Sequence, residues 1–196
     1  MPAQFNVSVA DARSVARLQQ HFGLPRFIAT TMVVRGITTV EQAERFFSPS
    51  LDRDWLNPYL IPGMSEAVDT LEAAVRERKH IIVFGDFDLD GISATTVLTR
   101  GLRALGGHAT PFIPRRFEEG YGISAAALDR LRPLAPELVV TVDCGIASKR
   151  EVELLLAEGI DVVVTDHHEP ADLVPQGVPV ADPKIDCDCP SGIWPA

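Results

Sequence analysis

A chain of 196 residues, 46% of them hydrophobic, can bury a sizeable core, and its formal net charge of −9 excludes a protein that coats nucleic acid by bulk electrostatics. That balance still allows a site that grips phosphate locally, because ions held by carboxylates bring positive charge that a residue count omits. No apolar run approaches the roughly 18 residues of a membrane span. Met1-Pro2-Ala3-Gln4-Phe5-Asn6-Val7 has neither the basic nor the apolar region of a secretion signal, so a cytoplasmic protein with no membrane partner is expected.

Residues 8–47 read as a small helical lead-in. Ala12, Val15, Ala16 and Leu18 give one short amphipathic stretch, Phe27 to Val34 a second, and the run up to Phe47 a third that Thr39 can cap. Residues 48–63 carry Pro49, Pro58 and Pro62 with Trp55 and Tyr59, the composition of an extended linker laid over a surface. The expected division is therefore a lead-in and linker over 1–63 and a second domain over 64–196. Ser65 offers a cap for a helix running to about Arg78, apolar at Ala67, Val68, Leu71, Ala74 and Val75.

From Ile81 the pattern alternates between strand and helix. Strands are expected at 81–85, 109–113, 138–142, 160–165 and 178–181, and helices at 92–105, 124–131 and 147–158, with Gly106-Gly107 and Gly159 as helix stops. This order predicts an α/β fold with a parallel sheet flanked by helices. Ligands of such sheets gather outside the carboxyl ends of the strands, so what each strand delivers there decides the chemistry.

The first strand runs into Asp86, Asp88 and Asp90, the third into Asp143, and the fourth into Asp166-His167-His168. Carboxylates this close raise one another's pKa unless cations neutralise them, and three such clusters at matching strand ends have the geometry of a polynuclear metal site. Asp-x-Asp-x-Asp-Gly also opens an EF-hand loop, but that loop needs a bidentate Glu at its twelfth position, which here is Val97, and a helix rather than a strand in front. The imidazoles select among metals, since mixed nitrogen and oxygen donors suit Mn²⁺, Zn²⁺ or Fe²⁺ whereas Mg²⁺ prefers oxygen alone. His21, His80 and His108 read as ordinary surface groups, and Cys144, Cys187 and Cys189 as reduced thiols, the last two lacking a second pair with which to hold zinc.

Gly85-Asp86-Phe87-Asp88-Leu89-Asp90-Gly91, Val140-Thr141-Val142-Asp143-Cys144-Gly145-Ile146-Ala147 and Val163-Val164-Thr165-Asp166-His167-His168 together resemble the Asp-His-His (DHH) phosphoesterase family. Pro114-Arg115-Arg116-Phe117-Glu118-Glu119-Gly120-Tyr121-Gly122 resembles the arginine-bearing loop of that family's bacterial single-strand-specific exonucleases, and Arg35-Gly36-Ile37-Thr38 ahead of Ala43-Glu44-Arg45-Phe46-Phe47 agrees with it. The resemblance spans about residues 20–190. It implies a Rossmann-like sheet and removal of nucleotides from the 5′ end of single-stranded DNA in repair and recombination, with replication or repair proteins as further partners. It also implies two metal ions, taken as Mn²⁺ with Mg²⁺ as the alternative. Asp88 and Asp90 align with family ligands, Asp86 is a third ligand or a supporting group, and His167 and His168 complete the shells. Asp143 stands as the bridge between ions roughly 4 Å apart. Asp166 orients an imidazole from behind. Arg116, with Arg115 beside it, meets a substrate phosphate.

The family carries a further metal-binding Asp and a clamping domain beyond the Asp-His-His motif, so a chain ending at Ala196 is expected to lack the C-terminal part of that architecture and to be weakly active alone. Two rival functions come with the family: a phosphodiesterase or pyrophosphatase for cyclic dinucleotides, very short oligonucleotides or pyrophosphate, and a non-catalytic scaffold. The first usually has a His four residues before the first ligand Asp, where this chain has Phe84. The second has shed ligands that are intact here.

Overall fold

The computed structural model describes residues 8–170 and 172–185, and the chain divides into two compact units, Met1–Leu56 and Asn57–Ala196. The Cys187-x-Cys189 pair and the first seven residues lie outside the described residues.

In the first unit, α1 (Ala12–Phe22) starts where the Asp11 carboxylate accepts the Ser14 N–H at 2.8 Å and stops at Gly23, whose φ of 66° only glycine adopts without strain. α2 (Arg26–Val34) follows, then α3 (Val40–Phe47), opened by a reciprocal capping box between Thr39 and Gln42. Val15, Leu18, Ala29, Met32, Val33 and Ala43 form the core of this unit. Ala12 and Ala16, expected on the inward face, are exposed, because one helical stripe runs through Ser14, Val15 and Leu18 and leaves both alanines off it. The expected extended linker holds a one-turn helix instead, α4 (Leu51–Asp54), where Asp54 accepts the Ser50 N–H at 2.8 Å and pairs with the Arg53 guanidinium.

In the second unit a 3₁₀ turn at Pro58–Leu60, capped by Asn57, leads to α5 (Met64–Arg76). Its cap is Gly63 and not Ser65, which lies in the first turn. Gly63 has φ 75°, and a Cβ there would run into the Val180 carbonyl. All the expected strands form, as β1 (His80–Gly85), β2 (His108–Phe112), β3 (Leu138–Val142), β4 (Asp161–Thr165) and β5 (Val180–Ala181), in one parallel sheet of order β2-β1-β3-β4-β5. β5 starts later than its apolar run suggests, since Pro179 has no N–H to give a ladder.

The helices cover both faces. Alternate strand residues point to opposite sides: Ile82, Phe84, Val139, Val162 and Val164 pack with α7 (Ala125–Leu131) and α8 (Lys149–Ala157), whereas Ile81, Val83, Leu138, Val140 and Val163 pack with α5 and α6 (Leu89–Ala104). α6 begins three residues before its expected start, because the Asp88 side chain accepts the Gly91 N–H at 3.0 Å and caps it. Gly85 and Gly91 permit this tight strand-to-helix passage: a Cβ on the first would strike the Thr95 hydroxyl, and one on the second the Asp86 backbone. At the far end of the sheet His80 and His108, partners in register, stack with ring centroids 4.3 Å apart, well away from the carboxyl edge.

Candidate metal centre

Strand register builds the site. Gly85 pairs with Val142, Val142 with Thr165, and Thr165 with Ala181, so the four strands end abreast and the next residue of each is an aspartate: Asp86, Asp143, Asp166 and Asp182. β3 lies between β1 and β4, which places Asp143 between the other two clusters.

Ligand atoms of Asp143, Asp166, His167 and His168 lie within 4.8 Å of one another. Asp143 holds a left-handed backbone (φ 61°), which an Asp tolerates better than most side chains, and its carboxylate is 2.8 Å from His167 Nε2. Asp166 is committed differently. One of its oxygens accepts the Ile146 N–H at 2.9 Å. The other accepts the His167 and His168 N–H groups at 2.7 and 3.2 Å and lies 2.7 Å from His168 Nδ1. With that many partners it fixes the loop and the His168 ring, leaving Asp143 and His167 as the freer donors.

The first-strand aspartates separate into three situations. Asp90 reaches the cluster, with a carboxylate oxygen 3.9 Å from His167 Nε2. Asp88 is exposed and occupied with capping α6, so it acts on the cluster through its charge. Asp86 is buried, its Oδ1 has no partner among the described residues, and burial, helped by Asp88, raises its pKa against the pull of the Phe87 and Gly122 N–H groups. Asp143 is likewise raised, by burial and by the charges of Asp90 and Asp88, despite its hydrogen bond to His167. At His168, burial disfavours the charged ring, but the hydrogen bond and charge of Asp166, with Asp143, outweigh it and raise the pKa. Buried carboxylates driven toward protonation are the electrostatic signature of a site lacking positive charge.

The predicted arginines lie on the loop after β2. Arg116 stands over the Phe87 ring, 4.9 Å from its centroid, beside the first-strand aspartates, while Arg115 pairs with Glu118 at 2.7 Å. Three residues escaped the sequence reading. Asp182 is fully buried, its Oδ2 has no partner among the described residues, and its pKa is raised by burial and by Asp166. It follows β5 as Asp143 follows β3, so asking what the last strand delivers would have found it. Phe87 and Tyr121 stood within the quoted motifs with no role assigned. Their rings meet edge to face at 6.3 Å, and the Tyr121 hydroxyl lies 3.4 Å from the His168 ring nitrogens. Partial burial and the surrounding carboxylates push the Tyr121 phenol well above its usual pKa.

A parallel sheet that aligns carboxylates and a histidine pair at its carboxyl edge defines a metal-site α/β protein, and the ligand types and their order along the chain narrow the class further. The chain belongs to the DHH family, whose N-terminal domain model matches residues 80–194. Over 181 residues it is 33% identical to the single-stranded-DNA-specific exonuclease RecJ of Bacillus subtilis, an alignment covering 92% of this chain and 23% of that protein. The fold is similar to a crystal structure of exonuclease RecJ bound to manganese, with 43% identity, a TM-score of 0.62 and coverage of 68% of this chain and 34% of that one. It is also similar to RecJ of Thermus thermophilus in complex with Mn²⁺, with 31% identity, a TM-score of 0.64 and coverage of 94% and 25%. The chain thus spans about a quarter of the length of the curated relative it matches.

Proposed function

We propose that this chain carries the metal-holding part of a phosphodiesterase that removes nucleotides from the 5′ end of single-stranded DNA in repair and recombination. The observation that carries the reading is the convergence of Asp143, Asp166, His167 and His168 within 4.8 Å at the carboxyl edge of the sheet. The relatives' names supply the substrate and their structures supply manganese.

The donor set fits such an ion, because mixed carboxylate and imidazole groups suit Mn²⁺, and buried carboxylates with raised pKa values gain from a cation. When bound, a pair of divalent ions supplies Lewis acidity toward the phosphodiester and lowers the pKa of water. Asp143 and His167 present the freer donors, Asp90 and Asp88 add charge on the first-strand side, and Asp86 supports them from the buried row. Asp166 holds His168 in one orientation through its Nδ1, so that Nε2 is the nitrogen offered. Arg116 meets a phosphate of the incoming strand, with Arg115 beside it. Among the described residues no helix is long and apolar enough to cross a membrane.

The test is Mn²⁺-dependent release of label from 5′- and 3′-labelled single-stranded DNA, by this chain and by a chain spanning the length of its relatives. Early release of the 5′ label as mononucleotide is expected. Release from the 3′ end, or cleavage of cyclic dinucleotides alone, overturns the reading.

A further inference from the structure

We propose that the Glu119–Arg130 ion pair is a positioning pair that fixes the loop after β2, so that Arg116 and Phe117 form a docking surface for single-stranded DNA. The inference rests on the nuclease reading above and adds residues that reading does not use. Glu119 is on the loop and Arg130 is on α7, so their contact ties an irregular segment to a helix packed in the core.

The pair is more than a surface salt bridge. The Glu119 side chain is 6% exposed, and Arg130 grips it with two nitrogens, Nε to Oε1 at 2.6 Å and Nη2 to Oε2 at 2.9 Å. The same Nη2 donates to the Ile113 carbonyl at 2.7 Å, where the loop leaves β2, and the Arg115 N–H donates to Glu119 Oε2 at 2.9 Å. The guanidinium also lies over the Phe112 ring, 3.9 Å from its centroid. One planar fork therefore fastens the root of the loop and its seventh residue to α7, and that residue, Glu119, holds the third. A lysine in its place would offer a single point of attachment.

Between those fastenings the chain turns, with the Glu118 and Glu119 N–H groups both directed to the Arg115 carbonyl, and the tip projects. Phe117 at the tip is 99% exposed, so both faces of its ring are open to a stacking partner. Its neighbour Arg116 leans on Phe87, which stands between Asp86 and Asp88, so the tip adjoins the metal edge. Beyond the clamp, Gly120 (φ 81°) and Gly122 (φ 66°) turn Tyr121 back to His168. An exposed aromatic face beside a guanidinium that makes no ion pair among the described residues fits a single strand, whose bases stack and whose phosphates take charged hydrogen bonds. In a chain of net charge −9 the cationic part of that contact has to be held in place locally.

The experiment compares wild type with Glu119→Gln, Arg130→Lys and Phe117→Ala, each in this chain and in a chain spanning the length of its relatives. The probe is a 5′-phosphorylated oligothymidylate. All three substitutions should raise its KM about tenfold, the change that ~1.4 kcal/mol produces, while kcat and calorimetric Mn²⁺ affinity stay within about twofold. Phe117→Tyr should restore the wild-type KM. Amide exchange of residues 113–119 should quicken in the two clamp variants, and Arg130→Lys, which keeps the charge, decides the matter if Glu119→Gln does not fold. Faster exchange with unchanged KM overturns the inference, and so does a fall in kcat and Mn²⁺ affinity at constant KM. Wild-type chains that neither bind nor cut the oligonucleotide would instead overturn the nuclease reading.

Discussion

Asp143 and Asp182 occupy equivalent places, after the strands on either side of β4, and have opposite surroundings. Asp143 faces an imidazole at 2.8 Å, whereas one oxygen of Asp182 accepts the Lys184 N–H at 2.7 Å and the other has no partner among the described residues. For Asp143 the expected outcome is that Asp143→Asn, which keeps the shape and tolerates the left-handed backbone, folds normally but binds Mn²⁺ at least about tenfold more weakly. Unchanged affinity in calorimetry would remove Asp143 from the site. For Asp182 the uncompensated charge dominates. Asp182→Asn still accepts the Lys184 N–H and no longer buries an anion beside Asp166, so it should stabilise the metal-free protein by about 1–2 kcal/mol. A lower melting temperature than wild type would show that this carboxylate already has a stabilising partner.

The strand and helix alternation from Ile81 onward was legible because β1, β3 and β4 are largely apolar runs ending at Gly or Asp, and these with β2 and β5 form the expected parallel sheet. Starts of elements were harder to read wherever one residue can do two things. Asp88 reads in the sequence only as a ligand, and its 3.0 Å bond to the Gly91 N–H shows that it also caps α6. Proline spacing suggested an open linker before the second domain, but Asp54 nucleates α4 by binding Ser50 and Arg53 across a single turn, a pairing that periodicity does not register. That pairing has a pH signature. The hydrogen bonds from Arg53 and Ser50 hold the Asp54 pKa down at about 2, below its ordinary 3.8. A depressed carboxylate stabilises above its unfolded pKa, so the turn should be intact above pH 3.8 and lose its support as pH falls through about 2. Carboxyl and amide shifts of Asp54 and Ser50 in an NMR titration should move together with that midpoint. A midpoint near 3.8, with the Ser50 amide unmoved, would separate the turn from the carboxylate.

At the scale of the whole molecule, the sequence places the candidate ligands at the ends of three strands, but how free each one is depends on which lone pairs the backbone has already taken. Asp166 reads in the sequence as orienting an imidazole from behind, and the fold gives it the Ile146, His167 and His168 N–H groups besides the His168 ring. Asp88 commits one oxygen to capping α6, and Asp86 is buried in the row behind. This leaves Asp143, His167 and His168 as the donors best placed, with Asp90 at 3.9 Å from His167. A six-coordinate ion is well served by three or four protein donors and water, whereas two ions drawing on the same set would each hold about two. The 196 residues are therefore expected to bind one Mn²⁺ tightly and a second weakly. Calorimetry on this chain should give a stoichiometry near one at micromolar Mn²⁺, and a chain spanning the length of its relatives should show more. Two tight and equal sites in the 196-residue chain would mean that Asp86, Asp88 and Asp90 rearrange to join the shell, and that α6 gives up its Asp88 cap when metal binds.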